Sequence, residues 1–171
     1  MQGRLSKPVD GKIQSFPKDY WKNEFYLGKQ IGFELIEWVL DEDLENNPIL
    51  NKKNFSEITK LKNETGININ SICCDYFITN SLSNNSKSFK EENLEILNFL
   101  IEESCPSNNI KIIDIPLLGK ESLKKKQIAE DYKNLFLGLE KKILDNNLMI
   151  ALETDLDPNE LKDFLKNFNN K

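Results

Sequence analysis

The chain has 171 residues, 39% of them apolar and 30% charged, with a formal net charge of −5. That make-up suits one globular domain with a real core, and the acidic balance argues against nucleic-acid binding, which leaves a basic stripe. There is no histidine, which excludes imidazole acid–base chemistry, Ser-His-Asp and Cys-His nucleophiles, and H-E-x-x-H zinc sites.

In chain order, "MQGRLS" reads as a short first strand and Lys7 to Pro17 as loop. The N-terminus lacks the apolar stretch of a signal peptide. No run approaches the roughly 20 apolar residues of a membrane-spanning helix. "DYWKNEFYLGKQIG" places Trp21, Phe25, Gly28 and Ile31 on one helical face, and Gly32 ends it. "FELIEW" is a strand. "NFSEITKLKNETG" spaces Phe55, Ile58 and Leu61 for a helix, with Gly66 as its stop. "INSICCDYF" is the next strand, and "NSLSNNSKS" a polar surface loop. A helix from Lys90 to Glu103 is closed by Pro106. "IKIIDIPLL" is a strand with Pro116 suited to its end. Ser122 to Asp145 is the clearest amphipathic helix. "LMIALE" is the last strand. Asp157, Pro158 and Glu160 then open a final helix as a capping box.

The pattern is strand–helix, repeated about five times, as βα units require. Such runs fit an open doubly wound sheet or part of a (β/α)8 barrel, and in both the chemistry sits at the C-terminal strand ends. No G-x-G-x-x-G and no phosphate-binding G-x-x-x-x-G-K-[ST] loop is present, which counts against a nucleotide-binding sheet. The strand ends offer Gln2 and Arg4, then Glu37 and Trp38, then Asp75 and Tyr76, then Asp114 with Gly119 and Lys120, then Glu153 and Asp155. Carboxylates accept from hydroxyls, Arg holds phosphate and aromatic rings cover sugar C–H groups, so such a mouth suits a polyhydroxylated substrate. Arg4 is either a surface residue or a phosphate clamp. Glu37, between Ile36 and Trp38, points away from both. Asp75 either caps the following loop or lines the mouth. Glu153 is the strongest candidate, and Asp157 belongs to the helix cap. Cys73 and Cys74 read as small core residues on opposite faces. With Cys105 they make an odd count of thiols, as expected of a reduced cytoplasmic protein.

Taken in order, "MQGRLS", "PVDGKIQSFP", "GFELIEW", "ICCDYF", "IPLLG" and "ALETDL" resemble the sugar phosphate isomerase/epimerase family, whose members are xylose-isomerase-like (β/α)8 barrels. The resemblance runs nearly end to end. It implies a divalent metal, Mn²⁺ or Mg²⁺, held by Glu, Asp, His and Glu from strands five to eight. It also implies two glutamates that move a proton through an enediolate. Glu153 matches the first of those ligands and one of the acid–base pair. Arg4, Glu37 and Asp75 match positions near the mouth that contact or support the substrate, a sugar or sugar phosphate. Residues 1–171 are then a single partial barrel domain, an N-terminal portion with about five of eight units, since a full barrel takes around 250 residues. Five strands cannot close, so the first and fifth keep apolar edges that invite self-association or a complementing C-terminal half. One Glu cannot hold a hard cation, so the expectation is an inactive chain with weak or no metal binding. Two alternatives are a non-enzymatic half-barrel that binds a partner chain, and an endonuclease IV-like phosphodiester hydrolase. The second needs several His ligands and a basic face. Neither nucleic acid nor membrane is expected as a partner.

Overall fold

The computed structural model describes residues 5–9, 11–12 and 14–168. In chain order it contains α1 (Trp21–Gln30), β1 (Leu35–Val39), α2 (Phe55–Thr65), β2 (Asn68–Cys73), α3 (Tyr76–Thr79), α4 (Glu91–Phe99), α5 (Cys105–Asn108), β3 (Ile112–Leu117), α6 (Lys126–Asp145), β4 (Met149–Thr154) and α7 (Pro158–Leu165). The strand expected over "MQGRLS" falls mainly on residues 1–4, outside the described residues, while Leu5 and Ser6 form a bend. None of the described helices is long and apolar enough to cross a membrane.

A left-handed residue marks each passage from helix to strand: Gly32 (φ 84°), Gly66 (φ 79°), Asn109 (φ 56°) and Asn147 (φ 53°). This conformation stops the helix and turns the chain back, and Gly or Asn adopts it at least cost. A strand begins two or three residues later in every case. At the other end of the sheet the capping box forms as expected. The Asp157 carboxylate accepts from the N–H groups of Asn159 and Glu160, and the Glu160 carboxylate accepts from Asp157 N–H.

The sheet order is β1-β2-β3-β4, and every neighbouring pair is parallel. That order decides between the two candidate architectures. A doubly wound sheet reverses its strand order at a switch point and takes helices on both faces. Here strands add in sequence order. The buried faces of α1, α2, α4 and α6 share one core with Ile36, Trp38, Ile72, Cys74, Ile113, Ile115 and Leu117. Alternate residues of the strands therefore meet the helices, and the rest face the opposite, open side, as in a segment of a (β/α)8 barrel.

Three expectations need correction. The strand over "INSICCDYF" stops at Cys73, and Tyr76 and Phe77 already belong to α3, where Tyr76 N–H donates to Leu40 O at 2.8 Å. Pro106 does not close its helix. A π-turn over Leu100–Ser104 widens the backbone before the ring, and the chain stays helical to Asn108. The stretch "NSLSNNSKS" is not simply surface. Ser81, Leu82 and Ser83 are buried. Ser81 Oγ donates to Glu121 Oε2 at 2.6 Å, Ser83 Oγ to Asp131 Oδ2 at 2.5 Å, and Asn85 N–H to the same Asp131 oxygen at 2.9 Å. Its polarity serves internal hydrogen bonds to carboxylates that burial would otherwise penalise. Pro116 lies at the end of β3, as expected, one residue before the last and opposite Glu153. It is tolerated because pairing with β2 ends at Asp114, whose carbonyl accepts Cys74 N–H at 2.9 Å. Two residues on, the proline nitrogen faces that same, now vacant, side.

Asn47 pins the C-terminal end of β1. Its Oδ1 accepts from Trp38 Nε1 at 2.8 Å and from Ile49 N–H, and its Nδ2 donates to Val39 O at 2.9 Å, all buried. Replacing Asn47 by Ala leaves those groups unpaired. Denaturant unfolding of Asn47→Ala is expected to show a loss of about 2–3 kcal/mol, and an unchanged midpoint would show that β1 is held in another way.

Candidate functional site at the open sheet face

Register fixes what the open face carries. The lowest layer holds Glu37, Ser71, Ile112 and Met149; the next holds Val39, Cys73, Asp114 and Ala151; above them Pro116 pairs with Glu153. A bulge between Ile36 and Glu37 sets Glu37 opposite Ser71, and Ser71 Oγ donates to Glu37 Oε1 at 2.8 Å. Asp75 follows directly from the end of β2. It makes no side-chain cap to α3. Instead it accepts from Gln14 Nε2 at 2.6 Å and from Cys73 Sγ at 3.3 Å. The same loop is held at the tip of β1, where Asp41 Oδ2 accepts from Ser15 Oγ at 2.9 Å and Phe16 N–H at 2.8 Å.

Four carboxylates from four consecutive strands thus share one face: Glu37, Asp75, Asp114 and Glu153. Glu37 sits mid-strand rather than at a strand end, Asp114 in the next layer, and Glu153 is exposed near the tip of β4. Their fields overlap. Burial, then the charges of Glu37, Glu153 and Asp75, push Asp114 up to about 6. Burial also holds Asp75 above the usual carboxylate range, against the hydrogen bonds from Cys73 and Gln14. Arg4 lies outside the described residues. Sequence reasoning placed Asp114 at a strand end without choosing it, and it missed Gln14. Strand alternation could have found the first; no local signal marks the second. Cys73 lies on the open face and Cys74 in the helix-side core, and both are buried.

Among solved structures the fold of this chain finds its counterparts. A xylose isomerase-like TIM barrel protein from Mycobacterium smegmatis in complex with magnesium matches 97% of the chain at 18% identity, with a TM-score of 0.61. The chain has the fold of part of a TIM barrel. The E. coli 3-keto-D-glucoside 4-epimerase, in its apo form, matches 80% of it at 18% identity and a TM-score of 0.58. An IolI protein with a zinc atom matches 81% at 16% identity and a TM-score of 0.55. The chain spans about half the length of these barrels, 58%, 51% and 46% of them respectively. No family model and no curated protein matches the sequence.

Two of those barrel structures carry a divalent metal, and the donors here can be tested for the same capacity. Among the described residues no three Asp, Glu or Cys side chains come close enough to hold a metal ion.

The raised Asp114 carboxyl has a measurable consequence. Its folded value lies above the unfolded value of about 4, so folding takes up a proton between the two, and stability falls as pH rises from about 4 to about 6. A carboxyl-carbon NMR titration is expected to place Asp114 near 6, and Glu153→Gln to lower it. Asp114→Asn should reduce the stability decline across that window, leaving the part that the raised Asp75 contributes. A titration at the ordinary carboxylate value would contradict the crowding described here.

Proposed function

We propose that the chain is the N-terminal portion of a sugar or sugar-phosphate isomerase/epimerase. The supporting observation is the acidic open face: Glu37, Asp114 and Glu153 lie on three of the four parallel strands and Asp75 just beyond the other, with Asp75 and Glu153 toward the C-terminal strand ends, where barrel enzymes bind substrate. Carboxylates there accept hydrogen bonds from sugar hydroxyls, with Glu37 and Asp75 oriented for this by Ser71 and Gln14. Glu153, exposed near its strand tip, moves a proton on the carbon beside the substrate carbonyl and supplies one ligand to a divalent cation. The remaining ligands come from a complementing C-terminal half. Alone, the chain turns over no sugar. The three thiols are free and buried, in keeping with a reducing cytoplasm.

Mn²⁺ titrated into the isotope-labelled chain is expected to bind weakly and to broaden amides around Glu153 first. Glu153→Gln should weaken that broadening about tenfold or more. Xylulose 5-phosphate should shift amides on the open face without being converted. Broadening centred away from β4, or sugar shifts confined to the helix side, would overturn this reading; turnover by the chain alone would overturn its incompleteness.

A further inference from the structure

Gln14 reaches the open face from a segment that its neighbours hold in place. Ser15 Oγ and Phe16 N–H share Asp41 Oδ2 at the tip of β1. The Phe16 ring is buried against Trp38, with ring centroids 5.3 Å apart. Lys18 Nζ stands 3.1 Å from an Asp43 carboxylate oxygen. The Gln14 side chain extends to the end of β2, an inner strand flanked by β1 and β3, so its contacts do not lie at an outer edge of the sheet. Three groups close a ring there. Gln14 Nε2 donates to Asp75 Oδ2 at 2.6 Å and to Cys73 Sγ at 3.6 Å, and Cys73 Sγ donates to Asp75 Oδ1 at 3.3 Å.

This ring fixes which way the amide faces. A glutamine side chain has two N–H donors on its nitrogen and a separate carbonyl oxygen with two lone pairs. Both donors of Gln14 are in use. Turning the amide over would press its carbonyl oxygen against the Asp75 carboxylate and leave the Cys73 sulfur without a donor. No described residue donates to the Gln14 carbonyl oxygen, and the side chain is only half-buried.

We infer that this oxygen takes a hydroxyl of the bound sugar, which makes Gln14 a specificity-determining residue of the open face. The inference rests on the sugar reading proposed above. An amide whose N–H groups are committed can only accept. It selects a hydroxyl at that point and disfavours a carbonyl or phosphate oxygen, which would meet it lone pair to lone pair. It does so without adding charge to a face that already carries Glu37, Asp75, Asp114 and Glu153. A carboxylate has about four lone-pair sites, and Gln14 and Cys73 occupy two of those on Asp75. The sugar therefore meets a neutral and a charged acceptor side by side.

The test uses the isotope-labelled chain and xylulose 5-phosphate. Binding is expected to move the resonance of Gln14 Cδ, the carbon that bears the free oxygen, while the Phe16 amide, tied to Asp41, keeps its place. Gln14→Met, of similar length but without the amide, should weaken binding about fivefold. Weakening would also follow from a loosened Asp75, so monodeoxy analogues of the sugar separate the two roles. One analogue should bind the unaltered chain about fivefold worse than the parent sugar, yet bind Gln14→Met as well as the parent does. A Gln14 Cδ that stays still in the complex, or deoxy penalties identical in both proteins, would overturn the inference and leave the sugar reading standing. Sugar shifts absent from the open face of the unaltered chain would overturn both.

Discussion

Parallel pairing of β1 to β4 in sequence order constrains everything else in this molecule. Residues alternate between two faces along each strand, and consecutive strands keep their tips at one end. The side toward the helices has to be apolar, and it is: Ile36, Trp38, Ile72, Ile113 and Ile115 carry the core. The other side is released from that demand. It carries Glu37, Asp114 and Glu153, with Asp75 just beyond β2. The cost is electrostatic, and it falls on Asp114, the carboxyl with burial and three like charges acting on it at once.

The neighbours of these carboxylates show how such a face is kept. Glu37 and Asp75 are held by short-range donors, Ser71 and Gln14. Glu121 and Asp131, on the helix side, are matched by Ser81, Tyr132, Ser83 and Asn85. Carboxylates with assigned donors stay fixed in direction. Glu153, exposed near the tip of the last strand, keeps access to solvent.

Much of this was readable from residue order. The alternation of Ile36, Glu37 and Trp38 assigns faces without coordinates, and Asp157 with Glu160 announces a cap that forms as written. Gly32 and Gly66 signal the ends of two helices. Asn109 and Asn147 do the same work, yet asparagine is so frequent in this chain that composition hides them. Pro106 misleads because the π-turn before it is a backbone accommodation with no residue signature. The hold of Gln14 on Asp75 joins positions far apart in sequence, so only the folded chain reveals it. Periodicity alone left barrel and doubly wound sheet open, since strand order is a tertiary fact; the resemblance carried by the ordered motifs pointed to the barrel, and the strand order agrees.

The buried serines after β2 carry a mechanical implication. Ser81 is tied to Glu121, in the connection after β3, and Ser83 to Asp131 at the start of α6. Two successive connections at the rim are thereby riveted into one rigid lip. Anything that nudges one of them drags the other along, so breathing at that rim is a joint displacement of both connections.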